Sequence, residues 1–137
     1  MADLTIIAAQ VSPVKVIDST AGVAGEAFTA GVFVRRDANT GRWLRAAAGG
    51  ASTANVAGVA LSDAAYNGSE VTVLHDGIVD LGLAVLDALL FDAPVYLSNT
   101  AGRVADTVGT VSVVLGKVVP GWASNHTTPD RLLRIKF

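Results

Sequence analysis

Short hydrophobic runs separated by turn residues repeat along the whole chain of 137 residues. The runs are rich in valine and recur about every 8 to 12 residues, a pattern typical of β-sandwiches and barrels. The last seven residues alternate: Leu133, Ile135 and Phe137 are apolar, and the two residues between them are basic. Such alternation predicts a strand with one face in the core. We therefore expect an all-β, single-domain β-barrel or β-sandwich with at most one short helix.

Two segments carry turn signals next to apolar sequence. Val14–Ile17 is a short strand candidate, and the glycines and polar residues of Asp18–Gly25 predict a turn after it. Glu70–His75 is the clearest strand of the chain. Asp76-Gly77 follows it directly and Ile78–Leu81 is apolar again, which predicts a tight hairpin because Asp-Gly is a strong hairpin signal.

One strand–turn–strand pattern occurs twice, and the two copies are similar only approximately. Residues 32–42 hold a Val-Phe-Val run and then Thr-Gly-Arg, and residues 95–103 hold Val-Tyr-Leu and then Ala-Gly-Arg. A glycine-containing apolar run follows each copy, at 56–60 and at 114–118. We expect each copy to form two strands joined by a glycine turn.

Four other segments define the remaining expectations. Val56–Leu61 and Val111–Val119 are too continuously apolar for strands with one wet face, so we expect them to be buried on both faces or to form interfaces. Phe28–Arg36 is expected to be a strand because of its β-branched and aromatic residues. Ala84–Leu90 could form a short helix or an irregular loop.

The composition predicts that other subunits cover part of the surface. Hydrophobic residues make up 51% of the chain and charged residues only 16%, against about 25% in typical soluble domains. Either small residues or another protein covers the surface, and we expect both, through oligomerisation or docking. The net charge of −2 provides no electrostatic basis for binding nucleic acid.

The chain shows no targeting features. Its start lacks the basic and apolar regions of a signal peptide, and no apolar stretch is long enough to span a bilayer. We expect a protein that is made in the cytoplasm and has no membrane partner. Cysteine is absent, which excludes disulfides and thiolate chemistry.

The charges are segregated along the chain. Residues 46–102 contain six acidic residues and no lysine or arginine, and the flanks hold all ten basic residues. Two interpretations stay open. In the first, the charges solvate strand faces. In the second, the acidic middle complements the basic flanks within or between subunits.

No pattern for catalysis or metal binding is present. His75 precedes Asp76, but neighbouring residues of a strand point to opposite sides and cannot form the His–Asp part of a triad. No nucleophile elbow, P-loop or dinucleotide fingerprint occurs, and the acidic residues are scattered singly. We expect His75 and His126 to be surface residues, and we expect no enzyme activity, catalytic residue, cofactor or metal.

The two tryptophans lie near turns. Each is either a partly buried core aromatic or an interface anchor, since tryptophan concentrates at protein contacts. The candidate interface residues are Trp43, Arg35, Arg36, Trp122 and Phe137.

Several short motifs together resemble a known family. In order, they are Gly22–Gly25, Gly31–Val34, Val56–Ala60, Gly68–Val73, Asp92–Tyr96 and Leu115–Val118. Over roughly Gly22 to Phe137 the chain resembles the small head-decoration, or capsid cement, proteins of tailed bacteriophages. It departs from the family at Ala93-Pro94, where glycine and aspartate are usual.

The resemblance implies a barrel or a tulip-like or jelly-roll-like sandwich on the exterior of a phage capsid, in the virion. It implies a homodimer or homotrimer that binds the major capsid protein across subunit junctions and stabilises the lattice, without catalytic residues. We expect residues 14–137 to form the β domain. Residues 1–13 are expected to be an N-terminal arm that is loose in solution and orders as an added strand on the capsid.

Two other functions remain open. A receptor- or glycan-binding module of a phage fibre or tail would need an exposed aromatic platform, for which Trp43 with Arg42 and Arg45 is the candidate cluster. A small β-barrel hydrolase or lyase would need convergent histidines and carboxylates, which the sequence does not show.

Overall fold

A computed structural model describes residues 3–82, 85–121 and 131–137. It shows a curled antiparallel sheet that forms a half-barrel, which confirms the all-β expectation. A single 3-10 turn, Ala8–Gln10, is present in the described part. The strands are β1 (Asp3–Leu4), β2 (Ser12–Val23), β3 (Phe33–Arg36), β4 (Trp43–Arg45), β5 (Gly58–Ala60), β6 (Glu70–Asp80), β7 (Pro94–Leu97), β8 (Val104–Ala105), β9 (Val114–Pro120) and β10 (Arg131–Lys136).

The repeated sequence pattern corresponds to a repeated pairing scheme. In the first copy β3 pairs with β4 and with β5, and β5 pairs with β6. In the second copy β7 pairs with β8 and with β9, and β9 pairs with β10. Pairing of β6 with β10 joins the two halves. Outward from this pair the order is β6-β5-β3-β4 on one side and β10-β9-β7-β8 on the other, so equivalent strands follow each other in the same order.

Two hydrophobic clusters share β6. The larger cluster includes Phe33, Leu74 and Leu133, and the smaller includes Trp43 and Val73. Leu74 and Val73 are neighbours in β6 whose side chains point to opposite sides, as expected for successive residues of a strand. This strand is therefore part of both cores.

The turn predicted at Asp18–Gly25 is wrong, because most of it belongs to the 12-residue strand β2. β2 pairs with β6 from Ser12↔Asp80 to Val23↔Glu70. Register shifts between Pro13 and Lys15 and between Val16 and Asp18 absorb extra residues of β2. Pairing with a long neighbour outweighs the local turn preference of the small polar residues.

The hairpin predicted at Asp76-Gly77 is also wrong, since β6 continues through it. Gly77 has φ +152° and lies against the carbonyl oxygen of Lys15 on β2, where a Cβ atom would overlap that oxygen. The glycine is needed here for close approach of two backbones rather than for a turn.

The long apolar runs behave differently from each other. All three residues of β5 are buried, as predicted for Val56–Leu61. β9 has exposed residues at Val114, Lys117 and Pro120, so burial on both faces is wrong for the second run, and its interface alternative stays a prediction. Residues 85–88 form turns, which agrees with the loop interpretation of this region.

Phe28–Arg36 contains a strand only over β3. Gly31 has φ +90°, which interrupts extended structure before β3. Phe28 forms an isolated bridge with Ala64 instead.

Candidate interaction surface

The most exposed regular element of the described chain is β2. Its first ten residues, Ser12 to Ala21, are all exposed. Val14, Val16 and Ile17 are 55%, 51% and 52% exposed. Within the described residues β6 is the one strand paired with β2. A strand with apolar side chains in water and an unpaired edge is a candidate contact surface.

The two charged residues of β2 lie on one face. Lys15 pairs with Ile78 and Asp18 pairs with Asp76. Ile78 and Asp76 are two residues apart in β6 and so point to the same side, as do their cross-strand partners. The extra residue at the second register shift therefore puts Lys15 and Asp18 on the same face although they are three positions apart.

His75 connects β2 to the rest of the fold. Its Nε2 lies 2.6 Å from Thr20 Oγ1, and its Nδ1 lies 2.7 Å from the carbonyl oxygen of Ala57. The carbonyl can only accept, so Nδ1 carries the proton and, in the neutral ring, Nε2 accepts from the threonine hydroxyl. The expected surface position is thus replaced by a half-buried one.

This contact is the one place among the described residues where a hydroxyl meets a histidine, as in a nucleophile–base pair. The group that orients the ring is a backbone carbonyl, and Asp76 is instead paired with Arg134 at 2.5 Å. The arrangement therefore lacks the carboxylate that stabilises an imidazolium in a triad. Its evident role is to hold β2 against the core.

The structure describes four of the five predicted interface residues. Trp43 is 2% exposed and packs in the smaller cluster, with the Arg36 guanidinium 4.3 Å from its ring centre, which matches the core interpretation. Arg35 is half-buried, and its Nε has no hydrogen-bond partner among the described residues. Phe137 is exposed and contacts Phe33 edge-to-face at 6.4 Å between ring centres. Trp122 and His126 lie outside the described residues.

A second exposed apolar site precedes β7. Leu90 is 79% exposed, and the neighbouring ring of Phe91 is also exposed. Arg131 holds this segment, because its guanidinium lies 4.7 Å from the Phe91 ring centre and its Nε donates to the Leu89 carbonyl at 2.8 Å. Sequence reasoning missed this site and the exposure of β2, since an apolar run does not reveal whether the fold covers it.

Among the described residues, one ion pair joins the acidic middle of the sequence to a basic flank. The pair between Arg134 and Asp76 joins the basic end of the sequence to its acidic middle. The other described ion pair, between Arg45 and Glu26 at 2.8 Å, lies within the first flank. The complementarity interpretation is thus confirmed for Arg134 and Asp76.

The start of the chain packs on the sheet. β1 pairs with β8, and Ile6 and Val11 contact the position of Gly31, where a Cβ atom would lie 2.7 and 2.9 Å from their methyl groups. A surface groove of about 330 Å³ runs beside this segment, with Arg45 and Arg103 in its wall. Whether the segment detaches in solution stays a prediction.

In the part of the chain that the structure describes, no three His, Asp or Glu side chains come together as a potential metal site. No helix in that part has the length and apolar character needed to cross a membrane. Comparisons of the chain with protein-family models, with curated proteins and with solved structures find no match.

Proposed function

We propose that this protein is a structural component of a phage head that binds the outside of the capsid as an oligomer and stabilises the lattice of the major capsid protein. The observation that carries the proposal is the exposed apolar strand β2 on an all-β scaffold. The resemblance to head-decoration proteins names the major capsid protein as the partner of such an oligomer. The proposed location is the capsid exterior, after synthesis in the cytoplasm of the host bacterium.

The surface suits repeated weak contacts. Short side chains such as alanine, valine and threonine lose little conformational entropy when they are covered by a partner. An oligomer that holds several such contacts gains affinity through effective concentration. Modest contacts by each subunit can therefore hold a shell together.

Co-sedimentation with undecorated phage heads tests the proposal. We expect the chain to pellet with the heads, to saturate at a fixed ratio to the major capsid protein, and to raise the temperature at which the heads disrupt. Heads whose decoration sites are already filled are the control and should bind no more. A chain that stays in the supernatant with undecorated heads would contradict the proposal.

The alternative is a receptor- or glycan-binding module of a fibre or tail. Trp43 is buried and cannot serve as its aromatic platform. Tyr66 is exposed, and the adjacent Asn67 accepts a 2.5 Å hydrogen bond from Arg42, so this is the place where a sugar could stack. Binding on a glycan array that Tyr66→Ala abolishes would favour the alternative.

A further inference from the structure

β2 exposes two apolar side chains between one basic and one acidic residue. Val16 and Ile17 occupy its centre, and Lys15 and Asp18 flank them on either side. Neither charged side chain has a hydrogen bond or an ion pair within the described residues. Asp18 also lies opposite Asp76, so two carboxylates are neighbours across the strands. Arg134 already pairs with Asp76, so Asp18 is the one of these two carboxylates that lacks a cation among the described residues, and a cation beside it would be favourable.

We propose that two copies of this chain associate through β2, with the strands antiparallel around a two-fold axis at Val16 and Ile17. In this arrangement Lys15 meets Asp18 of the partner subunit, and symmetry forms the same pair a second time. The bulge makes this possible because it places both charges on one face. The four central apolar side chains leave water together.

A second copy fits this edge better than an unrelated protein. An unrelated strand would have to supply an acidic and a basic residue at the right spacing, whereas a copy supplies both by symmetry. Pro13 has no N–H to donate, and the register shift between Pro13 and Lys15 interrupts the regular edge before Lys15. By symmetry this limits the pairing on both sides of the axis, which favours a closed dimer over an extended fibre. The inference depends on β2 alone and not on capsid binding.

Charge reversal tests the pairing without shells. Lys15→Asp and Asp18→Lys each place like charges across the axis twice, so each should raise the dimer Kd about tenfold or more. The double variant Lys15→Asp/Asp18→Lys restores both pairs and should restore the dimer. Sedimentation velocity gives the Kd, and circular dichroism checks that all variants are folded, as expected for changes at exposed side chains.

Three results would overturn the proposal. The first is a natural chain that stays monomeric as its concentration is raised. The second is a dimer whose Kd neither single variant changes, since another surface would then hold it. The third is a double variant that dimerises no better than the single ones. Loss of co-sedimentation with heads by variants whose assembly is unchanged would show that β2 contacts the shell instead.

A cross-link locates the axis. The chain has no cysteine, so a single introduced thiol reports one position. Ile17→Cys should form a disulfide-linked dimer on mild oxidation, because its two copies lie next to the axis within disulfide reach. Val23→Cys, at the far end of the same exposed strand, should stay unlinked. Equal cross-linking at both positions would indicate random collision and would overturn the proposed register.

Discussion

At Gly77 the backbones of β6 and β2 approach too closely for any side chain. The position has φ +152°, and the space that a Cβ atom would fill is occupied by the Lys15 carbonyl. Glycine favours turns, but at this position it allows β6 to continue past β2 without interruption. Sequence reasoning sees the glycine but not the second strand, and it therefore predicts a hairpin.

Gly77→Ala should destabilise the protein by about 3 kcal/mol, through backbone strain and the overlap with β2. Gly41→Ala is the matched control: Gly41 also has positive φ, at +73°, but no atom lies within 4 Å of its Cβ position. It should cost only about 1 kcal/mol. Urea unfolding of both variants gives the comparison. Equal losses would show that crowding at Gly77 is unimportant.

Asp37 caps the turn between β3 and β4 in its ionised form. The N–H of Asn39 and the hydroxyl of Thr40 donate to its carboxylate and lower the pKa of Asp37 below the usual value for aspartate. A lowered folded-state pKa means that the stabilisation is present above the usual pKa and is lost as pH falls through the folded value.

Thr40→Val removes the second of these donors. The pKa of Asp37 should rise toward its usual value but stay below it, because the Asn39 N–H still donates. An NMR titration of the Asp37 carboxyl carbon measures this directly. Thr29→Val, at another exposed threonine that lies outside this turn, should leave the titration unchanged.

At the scale of elements, the two copies of the repeat agree in pairing although their sequences agree only loosely. Gly58 of β5 and Gly116 of β9 occupy equivalent places, and at each a Cβ atom would overlap a carbonyl oxygen of the next strand, that of Leu74 or Arg134. The repeated glycine therefore reflects a repeated close approach between strands. This is the part of the fold for which the sequence pattern was most informative.

The segment before β2 can be tested as an arm by proteolysis. Ile6 is half-buried against the Gly31 position, whereas its neighbour Ile7 is exposed. In the free protein a protease of broad specificity should cut residues 1–11 before the core. Ile6→Ser should speed this cleavage because it removes the packing contact, and Ile7→Ser should not. Protection of this segment equal to that of the core would contradict the arm hypothesis.

At the scale of the whole molecule, β6 couples the two halves. Val73 packs in the smaller cluster and Leu74 in the larger, and β10 joins the second half to the same strand. Detachment of β6 would therefore expose both hydrophobic clusters to water. We therefore expect the molecule to unfold as one cooperative unit.

Two core truncations test this coupling. Val73→Ala and Leu74→Ala should each lower the free energy of unfolding by about 2 to 4 kcal/mol. In both variants the fluorescence of Trp43, measured in a Trp122→Phe background, should change together with circular dichroism. Separate transitions in either variant would show that the halves unfold independently.

The all-β class, the terminal strand and the repeated hairpins were predictable from the sequence because they depend on local patterns of apolar, β-branched and turn residues. The prediction failed at Asp18–Gly25 and at Asp76-Gly77, where β2 and β6 pair across 47 to 68 residues of sequence. Trp43 shows the same limit, since its type is equally suited to a core and to an interface.

By itself, the sequence determined that this chain is built of strands linked by turns and carries few charges, since hydrophobic period and composition are properties of neighbouring residues. Only the tertiary structure decided which apolar residues are covered. It buries Trp43 and β5 and leaves Val14, Val16 and Ile17 in water. Burial depends on which strands meet, and those contacts join residues distant in the chain that no local pattern relates.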